Sequence, residues 1–439
     1  MFESIPMAAW MFPAAFVLIF AGIPISLSLI ITAVAFALPI FGDRAGLQLA
    51  RFVGSVASNY ALAAVPLFIF MGAVLEHSGM GRRVFEAMKL WLGRFPGGLA
   101  LATMAMCTLF AAGTGVVGAV EVMVGLLAIP PMVKANYSKS LISGTITAGG
   151  SLGTMIPPSI VVVIYASVAQ VPVGDLLAAV LIPGLVMVGL FLSWIIVYAI
   201  LYPDHAPRTP ASETAMPFGE KIAFTARALL PPLILVVSVI GSILAGIAAV
   251  TEAAAVGAAG AVLLNIIYRD FTWIGLWRAT VKTVVISAMI LLIVTGGTMF
   301  TSIFRLQGGS QLVTDLVNSL QLGQVGLILL FLTIVFILGA LLDWVSVVLI
   351  CIPLFVPFLA PAGIEPLWFA VLVVIMIQTS YLTPPMAPAI FYLRGIAPKD
   401  FKTVEMYWGV LPFIACQLLT AVVVYWFPWT ALWLPSLTN

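Results

Sequence analysis

The residues best suited to chemistry lie in two runs where small and hydroxyl-bearing side chains lead into paired prolines. Ser151–Tyr165 reads SLGTMIPPSIVVVIY, and Thr379–Tyr392 reads TSYLTPPMAPAIFY. A proline inside a helix removes an N–H, and its ring clashes with the carbonyl of the preceding turn. Two in a row are expected to stop a helix and free several carbonyls. In hydrocarbon, such broken backbone persists only inside protein or against a wet cavity. Freed carbonyls at half-helix C-termini suit a sodium ion, and half-helix N-termini suit an anionic group. Gly149, Gly150 and Gly153 admit close backbone approach before the first tip. Thr154, Ser159, Thr379, Ser380 and Thr383 supply hydroxyls for a cation or a carboxylate. A structural kink is the competing reading of one Pro-Pro, and recurrence of the pattern favours a site.

Ionisable groups within apolar sequence are few, and each is a functional candidate by default. Glu121 follows the glycine-rich stretch Ala111–Gly118, AAGTGVVG, which contains Thr114 and otherwise reads as tight helix packing through small residues. Glu252 and Asp343 read more simply as helix N-caps. Arg394 stands ten residues past Pro384, where it either grips a carboxylate bidentately or marks the aqueous edge. Cys107, Cys351 and Cys416 are far apart, and no CxxC occurs, so neither a metal nor a disulfide is expected. His77 and His205 flank charged loops without His or Cys neighbours. No HExxH or GxSxG motif and no intramembrane aspartate pair appears, which argues against an enzyme.

These residues sit in a chain of 439 residues that is 63% hydrophobic and only 8% charged. Soluble domains carry about 25% charged residues, so this chain has too little polar surface to cover itself. Runs such as Met7–Phe41, Ile222–Ile267 and Val325–Leu342 approach or exceed the roughly 20 residues that cross a bilayer. The expected fold is an all-α polytopic membrane protein with about ten to twelve crossings or half-crossings. The acidic Glu3 and the long apolar run after it argue against a cleaved signal peptide. A net charge of +2 implies no nucleic-acid partner.

Basic residues cluster in three connections: Arg82, Arg83, Lys89 and Arg94; Arg269, Arg278 and Lys282; and Arg394, Lys399 and Lys402. The positive-inside rule makes these cytoplasmic. Two of the clusters, GMGRRVFEAMKLWLGRF and YRDFTWIGLWRATVK, mix bases with aromatics and predict short interfacial arm helices. The polar stretch Tyr202–Lys221 divides the chain, and landmarks recur in order on either side of it. AIPPMV (Ala128–Val133) is echoed by CIPLFV (Cys351–Val356); Gly113 precedes Pro157 by 44 residues and Gly339 precedes Pro384 by 45. An inverted repeat with two re-entrant hairpins is expected.

The segments AVPLFIFMGAVLEHSGMGRRV, GRFPGGLALATMAMCTLFAAGTG, ITAGGSLGTMIPPSIVVVIYA, VTEAAAVGAAGAV and SYLTPPMAPAIFYLRGIAP, spread over nearly the whole chain, resemble the large membrane subunit of tripartite ATP-independent periplasmic (TRAP) transporters. The resemblance implies sodium-driven uptake of an organic acid in a bacterial or archaeal inner membrane, by an elevator in which a hairpin-bearing transport domain slides on a scaffold. It implies a small four-helix membrane subunit and a periplasmic substrate-binding protein as partners, and no cofactor beyond the coupling ion. Residues 1–96 would form scaffold and first arm, 97–202 the first transport half, 203–320 linker and second scaffold part, and 321–439 the second transport half. Carried over by motif, one sodium site involves Ala112, Gly115, Gly153, Ile156 and Pro158; the other involves Gly339, Ser380, Thr383 and Met386. Thr114, Thr154, Ser159 and Arg394 are the candidate substrate-binding residues.

This chain departs from the family pattern in three places. Many relatives have Ser-Gly-Ser-Ser where Ala112–Gly115 stands, many have glycine at Ser380, and many lack an arginine at Arg394. The ending FYLRGIAP resembles a subgroup tied to keto acids, hydroxy acids and other monocarboxylates. The alternative is a stand-alone sodium-coupled anion carrier or Na+/H+ antiporter of the wider ion-transporter group.

Overall fold

The computed structural model describes residues 7–115, 117–210, 216–384 and 387–438, and every regular element among them is helical. The first half runs α1 (Met7–Phe20), α2 (Ile25–Phe41), α3 (Ala45–Ala57), α4 (Ala64–Glu76), α5 (Met80–Leu92), α6 (Gly98–Thr114), α7 (Val117–Lys134), α8 (Lys139–Ser151), α9 (Ile160–Ala169) and α10 (Val173–Leu201). The second half runs α11 (Phe218–Leu244), α12 (Val250–Ile267), α13 (Trp273–Leu306), α14 (Gly309–Ser319), α15 (Gln324–Gly339), α16 (Trp344–Leu359), α17 (Pro366–Leu382), α18 (Pro388–Ile396) and α19 (Thr403–Trp426).

Six helical segments are long and apolar enough to cross a membrane, and six shorter apolar helices accompany them. At 1.5 Å per residue, a helix the length of α15 reaches about 24 Å, short of the roughly 30 Å of hydrocarbon. The outward faces are apolar, with Phe20 at 74% and Ile247 at 80% exposure, as a bilayer-facing surface requires.

The helices form two packed groups. In one, α2 lies along α13, and α4 packs on α12 and α13, with α11 behind α12. In the other, α6, α7 and α8 pack mutually, α8 crosses α19, and α17 joins α15 to α19. The α8–α19 crossing brings backbones together: a Cβ on Gly144 would collide with the Gly409 carbonyl, and one on Gly409 with the Ser140 carbonyl. Small residues are what allow such close approach between membrane helices. The groups meet where α13 packs on α16 and where α4 and α5 pack on α6.

The arm-helix expectation divides. α5 is a separate helix turned 67° from the helical segment before it, so the first basic-aromatic segment forms a short helix of its own. The second does not form a separate helix. From Trp273 onward it is the first part of the continuous 34-residue α13, which contains no proline. The two regions are clamped together by Arg83, whose guanidinium donates to both carboxylate oxygens of Asp270 at 2.8 and 3.2 Å.

Paired prolines also behave less uniformly than their chemistry suggests. α7 continues through Pro130–Pro131 and α11 through Pro231–Pro232, whereas Pro157–Pro158 lies in a true break between α8 and α9. Membrane helices tolerate proline when neighbouring groups satisfy the freed carbonyls.

Candidate functional site

The first break is built from backbone. α6 ends at Thr114, and Gly115 turns left-handed at φ 59° while its N–H donates to Ala111 O at 3.1 Å. A Cβ at 115 would lie 2.7 Å from the Pro158 carbonyl oxygen, so only glycine lets these two strands of backbone meet. Opposite, α8 gives way to one tight turn at Leu152–Thr154 before α9 starts. Thr154 donates to Ser151 O at 2.9 Å, and Ser159 donates to Thr154 O at 2.7 Å. Ala112, Gly153, Ile156 and Pro158 are all buried around this turn. Thr114 is buried as well, and its hydroxyl has no partner among the described residues.

Side chains dominate the second break. α15 ends at Gly339, where a Cβ would collide with the Ser380 hydroxyl. Ser380 donates to Ile377 O at 2.8 Å, and Thr383 donates to Thr379 O at 2.7 Å. Asp343 caps α16 by accepting from the Val345 and Ser346 N–H groups at 3.0 and 3.3 Å, and from the Ser346 hydroxyl at 2.5 Å. Glu252 likewise accepts from the Ala249 N–H at the start of α12, at 2.9 Å. Both acids are therefore the caps the sequence suggested. Met386 lies outside the described residues.

A cleft of about 540 Å³ opens between the two helix groups. Gly115 and Gly118 reach it from the first break, and Gly339, Asp343 and Ser380 from the second. The opposing wall carries Glu76 and Lys282, whose ion pair is 2.5 Å long. A second cavity of about 330 Å³ lies farther along α13, with Asn59, Ser167, Thr298 and Arg305 on its wall. Residues 282–293 of α13 face the first cavity and residues 294–305 the second, so the two follow one another along the helix.

Gly115, Gly339 and Ser380 are thus the candidate residues brought together at one cleft. The hydroxyls of Thr154, Ser159 and Thr383 hold the backbone turns instead of lining it. Arg394 is exposed at the end of α18, where its guanidinium donates to the Phe401 carbonyl, and it is not among the cleft-lining residues. Outside the cleft, Lys139 and Asp400 pair at 2.9 Å. The hydrogen bond between them holds the Asp400 carboxyl below its usual range and the Lys139 ammonium above its own.

Sequence reasoning missed the Glu76–Lys282 pair. Each residue sits at the edge of an apolar run, which is the available signal, but 206 positions separate them. It also missed Tyr381 and Tyr392, whose rings line the cleft.

With this geometry in view, the chain's relatives define its class. The profile described as "Tripartite ATP-independent periplasmic transporter, DctM component" matches residues 12–430. The chain belongs to that family, and it is a multi-pass membrane transporter subunit. It is 29% identical to the C4-dicarboxylate TRAP transporter large permease protein of Vibrio cholerae, covering 95% of this chain and 94% of that one. It is 30% identical to the sialic acid TRAP transporter large permease protein of the same organism, covering 96% of each. Among solved structures it resembles the Alcanivorax borkumensis YdaH transporter, with a TM-score of 0.63 at 15% identity over 89% of this chain and 90% of that one. That likeness concerns the fold alone.

Proposed function

We propose that this chain is the large permease of an importer that uses a sodium gradient to drive uptake of a small organic acid across the cell inner membrane. The observation that carries the reading is the single cleft onto which both helix breaks open. At the first break, carbonyls crowd around Gly115 and Pro158; at the second, Ser380 stands beside Gly339. Both arrangements suit a small hard cation held by oxygens. The substrate would sit between them, its carboxylate met by hydroxyls and backbone N–H groups.

An elevator motion fits the two helix groups and the two cavities along α13. The group containing α6–α10 and α15–α19 would slide past α13 and carry the cleft from one side to the other. The recurrence of breaks in both halves supports an inverted repeat as its origin. The family membership supports a small membrane subunit and a periplasmic binding protein as partners, and the relatives named for C4-dicarboxylates and sialic acid support a carboxylate as cargo.

The test is uptake into proteoliposomes of radiolabelled 2-oxo and 2-hydroxy monocarboxylates and C4-dicarboxylates. The chain is reconstituted with and without a periplasmic binding protein and a small membrane subunit from the same source. Uptake is expected only with all three components and an inward sodium gradient. Transport by this chain alone would identify a stand-alone carrier, and uptake indifferent to sodium would remove the coupling.

A further inference from the structure

Glu121 has no place in the reading above, yet it is the most unusual side chain in the molecule. It lies on α7 and is fully buried, and a Cβ on Gly150 of α8 would collide with its Cγ. Neither carboxyl oxygen has a hydrogen-bond partner among the described residues. The titratable groups facing it are Cys107 from α6, Tyr381 from α17 and Tyr392 from α18. α8 places Gly150 against it, and no basic side chain pairs with the carboxyl among the described residues.

The neighbouring position deepens the imbalance. Ser151 Oγ accepts from Gln378 Nε2 at 3.1 Å and from Gln417 Nε2 at 3.3 Å. Both glutamine carbonyl oxygens are left buried without donors. Around Gly150 and Ser151 the described residues therefore hold four unpaired acceptor oxygens, and none of them pairs these with a positive charge. An isolated carboxylate in apolar surroundings is disfavoured so strongly that the group neutralises instead. Hard metal ions gather about six oxygens, whereas the unpaired acceptors here are four, two on Glu121 and one each on Gln378 and Gln417. A proton needs only the carboxyl itself.

We propose that Glu121 is a proton-carrying site of the transport machinery, loaded as the neutral acid in this conformation. The inference rests on reading the adjacent cleft as the transport route. Tyr381 and Tyr392 form an aromatic layer on the cleft wall, and the Tyr392 ring packs against Gly118, one turn before Glu121. When that layer parts, the carboxyl O–H bond breaks, the proton passes to water in the cleft, and a carboxylate remains on Glu121. Reloading reverses the step.

Infrared spectra of the full-length protein in lipid nanodiscs test this without knowledge of the substrate. Wild type is expected to show a D2O-sensitive protonated-carboxyl C=O band that persists near neutral pH, where exposed glutamates have ionised. Glu121→Gln should lose that band, and an identical band in both proteins overturns the proposal. Should the Gln variant fail to fold, Glu121→Asp carries the test: a displaced band or titration supports it, and an unmoved one refutes it. A band that vanishes when Na+ is added assigns the carboxylate to the metal ion and overturns the proton reading. In vesicles holding the complete importer, an inside-alkaline pH gradient should raise uptake by wild type and not by Glu121→Gln; equal stimulation of both refutes coupling. Absence of uptake by wild type under every gradient would sink the transport reading and leave the spectral result standing.

Discussion

The two helix breaks solve one problem in different materials. At the first, glycine backbone meets proline backbone, and the hydroxyls of Thr154 and Ser159 turn inward to hold the loop. The second sets a side chain against a glycine and caps the next helix with Asp343. The first break presents glycine and aliphatic residues to the cleft, Gly115, Gly118, Ile160 and Val161, while the second adds Asp343, Ser380 and Tyr381. Two breaks that read alike in sequence therefore differ in what can be changed: the first depends on conformation and space, the second on paired side chains.

The largest effect expected from this contrast is at Gly115. Gly115→Ala would force a left-handed alanine, which costs about 1–2 kcal/mol, and would press its methyl onto the Pro158 carbonyl at 2.7 Å. Uptake should fall by about tenfold or more, with a rise in the sodium concentration needed for half-maximal transport. Unchanged sodium dependence would break the claim that backbone fit defines the first break.

Gly339→Ala should also be damaging, through collision with the Ser380 hydroxyl. Here a second change can restore function. The double variant Gly339→Ala with Ser380→Gly opens space for the methyl, and a double-mutant cycle on uptake should give a coupling of about 1 kcal/mol or more. Simple additivity would mean that the two residues do not share one space. No neighbouring side-chain substitution is expected to rescue Gly115→Ala, because its obstacle is a main-chain carbonyl.

A smaller effect is expected from Asp343→Ala, which removes the cap of α16. Loss of such a cap costs about 0.5–2 kcal/mol, visible as a lower Tm in detergent. Asp343→Asn should retain most of the stability, since its side-chain oxygen still accepts from Val345 and Ser346. Equal loss in both variants would mean that charge at the cleft, not capping, is what matters.

The smallest expected effect lies outside both breaks. Because Lys139 holds the Asp400 carboxyl below its usual range, the pair's stabilisation is present above the unfolded carboxylate value near pH 3.9. It is lost as pH falls through the lower folded value. Lys139→Met should flatten this acid limb by slightly lowering Tm at neutral pH while leaving the acid end unchanged, a small difference because the pair is exposed. A profile that keeps its acid limb in the variant would assign the acid sensitivity to another group.

Much of the fold was legible because membrane solvation imposes simple rules on sequence. Long apolar runs marked the spanning helices, and the Pro157–Pro158 run marked a true break. The capping roles of Glu252 and Asp343 also followed from their positions at helix starts. Local sequence was less able to tell which proline pairs break a helix: Pro130–Pro131 lies inside α7. Nor did it reveal that the second arm segment merges into α13, or that Arg394 turns to the Phe401 carbonyl. Each of these depends on neighbours distant in sequence, whose groups satisfy or fail to satisfy the freed backbone.

By itself, then, the sequence determined that this chain lives in a membrane, that it is helical throughout its spans, and where its backbone is most strained in composition. Those properties follow from side-chain hydrophobicity and proline geometry, which act over a few residues. Only the tertiary structure decided that Gly115, Gly339 and Ser380 share one cleft, that Glu76 pairs with Lys282, and that Glu121 is enclosed without a partner. Those outcomes arise from helix packing, which brings together residues more than 200 positions apart and sets which polar groups meet and which are left alone.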